Sequence, residues 1–433
     1  MSNRLYPVVW VLWAALSADA DTVSTKVEQS DALFGQVRSK MIANLSRLPN
    51  YTCLQTTERS VRRPPSRRYE LVDMVRLEVA LVDGKELFSW PGAGKFEDKE
   101  ISQIVSGGAI GNGTFALHAK SIFQSQRARI TYVGETAKNN RRVLRWDYEV
   151  PKLFSGYTLR VGSREAIVGY HGTIWADAET LDLQRLEVEA DDIPAELHMA
   201  RAMDSVDYVR VKIGGQSFLL PQSSELKMVD GGNSESVNVT RFTACRQYTG
   251  ESVLVFSDSV PNAGTTAAGI KTIEVPGGLL LEVSLETPIA SATSATGDPV
   301  TAVLRKAVKK NGAVIIPKGA LLHGRITTLR RANGPGSVHH IVGLAFFEME
   351  FPGAKGEIRV ELDQIGAAGG AIFAPGSARF GAIVRMNAGM VQIGQANLDA
   401  PGSVFFVGGT DFKLVRGLLM FWRTQSPSEE NRQ

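Results

Sequence analysis

The sequence predicts a β-rich α+β fold: a curved antiparallel half-barrel with packed helices, then a separate small β-barrel or sandwich domain. Three observations carry that prediction. Glycine is abundant, 42 of 433 residues, in a chain that is 43% hydrophobic and 21% charged, a globular composition with many turns. The pattern aliphatic-Pro-x-Gly-x-Leu-Leu-x-x-x-aliphatic occurs twice, from Val275 to Leu285 and from Ile316 to Ile326. Proline fixes φ and lacks an N–H, glycine tolerates positive φ, and the apolar residues after them have strand length, so each copy reads as a turn feeding a strand. Finally, helical spacing interrupts the strands only near the amino terminus and between residues 97 and 124.

Such a length predicts more than one domain. Residues 1–20 read as a signal peptide: Arg4, a short apolar core from Val8 to Leu16, and the small-residue site Ala18-Asp-Ala20, with a mature start at Asp21. Nine apolar residues are too few to span a bilayer, so no transmembrane helix is expected after cleavage, and a periplasmic or secreted location follows. Residues 21–256 form the half-barrel domain, 257–269 a small polar linker, 270–424 the barrel domain and 425–433 a disordered tail. A net charge of +3 without an aromatic-studded basic stripe argues against a nucleic-acid partner.

Export lets disulfides persist. Cys53 and Cys245 lie in strand-like segments, and a bridge between them closes a loop of about 190 residues, stabilising by about 5 kcal/mol in the chain-entropy picture. Two buried thiols are the alternative.

Along the chain, Leu33, Val37, Met41, Ile42 and Leu45 recur on one helical face, with Ser30-Asp31 as a capping pair. A strand from Tyr51 to Val61 runs into a proline-bearing basic stretch. Arg59, Arg62, Arg63, Arg67 and Arg68 there are candidates for contact with anionic headgroups or polysaccharide, or else form a solvated hairpin tip. Asp83-Gly84 between strand-like flanks predicts a tight hairpin. Residues 97–105 and 114–124 read as helices around the Gly-rich segment 106–113, which lacks phosphate-loop spacing. From Ala128 to Phe256 short strands and turns predict an antiparallel meander.

Two resemblances follow from these residues. The Ile-Pro-x-Gly turns, Gly297-Asp-Pro-Val300, Phe351-Pro-Gly-Ala-Lys-Gly-Glu-Ile-Arg-Val360 and Asp363 to Gly369 resemble the C-terminal β-barrel domain of TrbI-type conjugation and type IV secretion proteins, over about residues 270–370. The order of one helix, a long antiparallel sheet and inserted helices over residues 30–256 resembles the lipoprotein-carrier (LolA/RseB-like) half-barrel of secreted bacterial proteins. The carrier resemblance implies an apolar groove for an acyl chain, lined by Trp90, Phe115, Phe123, Trp146 and Trp175; ordinary core packing under the helices is the other reading.

No cofactor or metal site is expected. The six histidines lack metal-helix spacing, and His339-His340, though near Glu348, point to opposite faces of a strand. No Gly-x-Ser-x-Gly elbow occurs, and the acid pairs Asp177/Glu179 and Glu348/Glu350 read as solvated strand faces. The expectation is a non-enzymatic envelope protein that binds an acyl chain, lipid or lipoprotein through the half-barrel and an envelope protein through the barrel. A secreted hydrolase of polysaccharide or peptide and a subunit of an envelope secretion channel are the alternatives.

Overall fold

The computed structural model describes residues 18–93, 96, 101–105, 115–124, 127–138, 141–161, 164–248, 271–334, 337–366, 383–386, 389–393 and 403–426. Most of the expected signal peptide, the Gly-rich segment 106–113, the linker 257–269 and the tail from residue 427 lie outside the described residues. The described residues are mostly antiparallel sheet, and they fold as two compact units. Residues up to Leu48 with His118–Asp192 form one, and Pro49–Leu117 with the chain from Ile193 onward form the other.

The first unit is a four-stranded antiparallel meander, Arg129–Lys138, Arg141–Val150, Gly169–Asp177 and Leu183–Asp191. A small hairpin, Thr158–Val161 with Arg164–Ile167, is inserted between its second and third strands. The helix Ala18–Arg47 buries Val37 and Met41 of the expected stripe. It begins earlier than Ser30-Asp31, so this pair is interior to the helix and does not cap it. Neither Gly nor Pro breaks the preceding turns.

The second unit contains a six-stranded antiparallel sheet in the order Lys85–Ser89, Glu70–Val82, Tyr51–Arg62, Glu235–Gln247, Gln216–Asp230, Met199–Ile213. The hairpin at Asp83-Gly84 forms with both residues at positive φ, 50° and 79°, the backbone its sequence favours. The disulfide Cys53–Cys245 joins neighbouring strands of this sheet at a bulge, where Ala244 takes φ 50°.

The same unit holds a barrel-like ladder: Val360–Ile365, Leu419–Thr424, Leu280–Leu285, Pro299–Leu304, Leu321–Gly334, Ser337–Phe351 and Ser403–Gly408 pair in that order. Where its ends meet, the Leu362 amide donates to Ser403 Oγ at 2.7 Å. Both copies of the repeated pattern place their glycine at positive φ, Gly278 at 83° and Gly319 at 89°, and each leads into a ladder strand. Alternate residues Leu281, Val283 and Leu285 in one copy, Leu322 and Ile326 in the other, enter a single core with Phe405, Met420 and Trp422.

The Gly-Asp-Pro turn ahead of Val300 seats on the strand Glu70–Val82. Arg76 N donates to Thr296 O and Thr296 N to Met74 O, both at 2.8 Å, while the Arg76 guanidinium reaches Asp298 Oδ1 and Oδ2 at 2.5 and 2.7 Å. Gly297 is at φ 100°, and a Cβ there would stand 2.3 Å from Arg76 O and 2.6 Å from the Trp90 ring. Only glycine permits so close an approach.

Candidate functional site

Alternation along the meander of the first unit separates two faces. Leu144, Trp146, Tyr148 and Val150 are buried on one side, while Arg145, Asp147 and Glu149 lie on the other. The buried side carries an aromatic layer under the helix Ala18–Arg47. Phe34 of the helix stacks 6.3 Å from Phe123 and lies 5.7 Å from Trp146, and Tyr132 of the adjoining strand is 5.5 Å from Trp146. Tyr148, Tyr170, Tyr157 and His118 continue the layer edge to face at 5.7 to 6.1 Å. Gly172 has no side chain, and this lets the Tyr148 hydroxyl reach past it and donate to Glu187 O at 2.7 Å. Burial pushes the Tyr170 phenol above its ordinary pKa, so it stays neutral.

Polar contacts that fasten the helix above this layer include Arg38 Nε, which donates to Phe123 O at 2.9 Å, and Lys40 Nζ, which pairs with Asp182 Oδ1 at 2.8 Å. Trp146 is 1% exposed, and its indole N–H is enclosed with no acceptor. Buried donors are nearly always satisfied, so an orphaned one is a candidate partner for an acceptor from outside the chain.

The structure divides the five aromatic residues of the expected groove. Phe123 and Trp146 share the layer just described. Trp175 pairs in register with Arg145, lies on the opposite sheet face from Trp146 and stacks under the Arg145 guanidinium at 5.2 Å. Phe115 belongs to the other unit, packed between Tyr51 and Phe242 at 4.9 and 5.2 Å. Trp90, also in that unit, lies under Arg325 at 5.5 Å. Sequence reasoning missed Phe34 and Tyr132; the helical spacing of Phe34 with Val37 and Met41 was the available signal.

The opposite sheet face forms an open, polar depression of about 740 Å³. Three of the four acids that line it carry partners. Asp147 takes Arg145 at 3.0 Å and the Thr173 hydroxyl at 3.1 Å, Glu149 takes Arg129 at 3.1 Å, and Asp191 meets His171 Nδ1 at 2.6 Å. Asp177 accepts the amides of Thr180 and Glu179 at 2.8 and 3.0 Å, which hold its carboxyl below the ordinary range and make it a poor proton donor.

The arginine cluster also divides. Arg59 is buried and forms a two-pronged pair with Asp73 at 2.7 and 2.6 Å, and Arg62 pairs with Glu235. Arg63, Arg67 and Arg68 are exposed in the turn between paired strands, where Ser66 N donates to Arg63 O at 2.9 Å.

No family model matches the chain, and no curated protein matches it. Among solved structures, a domain described as an outer membrane lipoprotein-sorting protein, from Vibrio parahaemolyticus, is 11% identical, covers 50% of this chain and 92% of its own, and has a TM-score of 0.29. A DUF1329 family protein from Desulfovibrio piger matches with the same identity and coverage at a TM-score of 0.26. At these scores the likeness assigns neither fold nor activity. Among the described residues, no helix is long and apolar enough to cross a membrane.

Proposed function

We propose that the chain is a non-enzymatic envelope protein, periplasmic or secreted, that takes the acyl chain of a lipid or lipoprotein into the aromatic layer beneath the helix Ala18–Arg47. In this reading the amino-terminal sheets act as a curved half-barrel and the barrel-like ladder serves protein contacts. The observation that carries it is Trp146, whose enclosed indole N–H lacks an acceptor among apolar rings. An ester or amide carbonyl at the head of an acyl chain meets that donor, while Phe34, Phe123 and Tyr132 contact the hydrocarbon. Displacement of the one helix that roofs the layer gives such a ligand a way in. The pairing of Asp147, Glu149 and Asp191 in the polar depression supports the non-enzymatic reading over a hydrolase.

The test is solvent extraction and mass spectrometry of the purified chain, with titration of a fluorescent fatty acid. Acylated compounds in the extract and saturable probe binding are expected. Trp146→Phe keeps an aromatic ring but loses the donor and part of the indole's apolar surface, and should weaken binding by at least about fivefold, the worth of one hydrogen bond of about 1 kcal/mol. A clean extract with no saturable binding, in protein with an intact circular dichroism spectrum, overturns the proposal.

A further inference from the structure

A second constellation lies on the outer wall of the barrel-like ladder. Alternation puts Glu348 and Glu350 on the face opposite Met349, which is fully buried. The neighbouring strand brings His323 directly across from Glu348. This register depends on a bulge: Gly324 pairs with Phe346, His323 with Glu348, and Phe347 is the extra residue, exposed under Arg325. A Cβ at Gly324 would stand 2.1 Å from Ala345 O, so glycine beside His323 lets the strands close on each other at the bulge.

We propose that His323, Glu348 and Glu350 bind a divalent first-row transition metal ion, with zinc as the best match. One ligand atom from each of the three lies within 4.8 Å of the others. His323 Nε2 is 3.4 Å from Glu350 Oε2, close to the about 3.3 Å that separates two ligands each roughly 2.0–2.1 Å from a tetrahedral zinc. That imidazole nitrogen is enclosed by the fold, makes no hydrogen bond and faces the Glu350 carboxylate. One neutral imidazole and two carboxylates match a divalent charge, and this mixed nitrogen and oxygen set suits zinc better than calcium or magnesium. Lys355 Nζ stands 2.9 Å from Glu348 Oε1 and opposes Glu350 in register, a cation already placed where the carboxylates need one. A metal ion displaces that ammonium. Exposure of Glu350 leaves the remaining coordination position to water or to a group from another molecule.

The experiment is calorimetric titration of zinc into the chelator-treated full-length chain, with the visible absorption of bound cobalt reporting coordination geometry. A single saturable site with a tetrahedral or five-coordinate cobalt spectrum is expected. His323→Gln should lower zinc affinity by more than about 100-fold, and Glu350→Gln, at an exposed position, should lower it without disturbing the fold. Lys355→Met should raise affinity about two- to fivefold, as expected on removal of a competing surface ion pair. Absence of saturable binding, or unchanged affinity in His323→Gln, overturns the assignment. Neither outcome bears on the acyl-chain proposal, which concerns the other unit and a different ligand.

Discussion

Replacement of Arg59 by leucine tests how the second unit is held together. The Asp73 side chain is 2% exposed and receives both Arg59 Nε and a terminal guanidinium nitrogen, two charge-assisted bonds in a dry setting. Removing one partner of a buried ion pair costs about 3–5 kcal/mol, because the remaining charge keeps its desolvation penalty. Here Arg330 of the barrel-like ladder lies 4.0 Å from the same carboxylate and pairs with Asp73 in register, so part of the charge stays compensated. The expected loss is therefore near the lower end, about 3 kcal/mol. In differential scanning calorimetry Arg59→Leu should lower the melting temperature by several degrees. The double variant Arg59→Leu with Asp73→Asn should recover part of the loss by removing the uncompensated charge. Arg68→Ala, in the exposed turn, is the control and should change little. If Arg59→Leu melts with Arg68→Ala and wild type, or the double variant is worse than the single, the pair does not work as described.

Further outcomes follow from the same contacts. Replacing Cys53 and Cys245 by serine together releases a span of 192 residues and should destabilise by about 5 kcal/mol; reductant should lower the wild-type melting temperature and leave the double variant unmoved. Gly297→Ala puts a Cβ against Arg76 O at a positive φ and should cost about 2–4 kcal/mol by urea denaturation. Glu235 accepts from Tyr69 and Arg62 and pairs with Lys227 at 3.2 Å, and its carboxyl is held down at about 2. Its folded pKa is depressed below the unfolded value of about 4.3, so its contribution is present above about pH 5 and is lost as pH falls toward 2. Glu235→Gln should flatten that part of the melting-temperature profile; an identical acid limb in both proteins contradicts the assignment.

Local backbone chemistry was legible in the sequence. Asp83-Gly84 turns as its residues require, and the glycines of the repeated Pro-x-Gly pattern take positive φ ahead of alternating buried leucines. The cysteine pair was legible because an expected export signal made a lasting disulfide the natural reading of two strand-borne cysteines. The strands Met199–Ile213 and Gln216–Asp230 run longer than apolar alternation suggests, because buried Asp204, Ser205 and Ser224 occupy positions where a hydrophobic pattern expects aliphatics. Cross-strand register was the part that could not be read. Nothing near Arg59 in sequence distinguishes it from Arg63, and only pairing with the strand Glu70–Val82 sets it against Asp73. His323 and Glu348 are likewise opposed by a bulge at Phe347, whereas adjacency drew attention to His339-His340, of which His340 is buried against Phe412 at 5.0 Å. The aromatic site was half legible, since residue type shows which rings are apolar but not which sheet face Trp175 occupies.

Because Cys53 is covalently tied to Cys245, every residue of the intervening span, including all of His118–Asp192, sits inside a closed polypeptide ring. A protease that nicks an exposed site such as Leu153, 84% exposed, opens the ring without releasing a fragment. On a denaturing gel without reductant the clipped protein migrates as one species, and it separates into two only when the sulfurs are reduced. That ring lets the chain survive a single cleavage with its strands still in place.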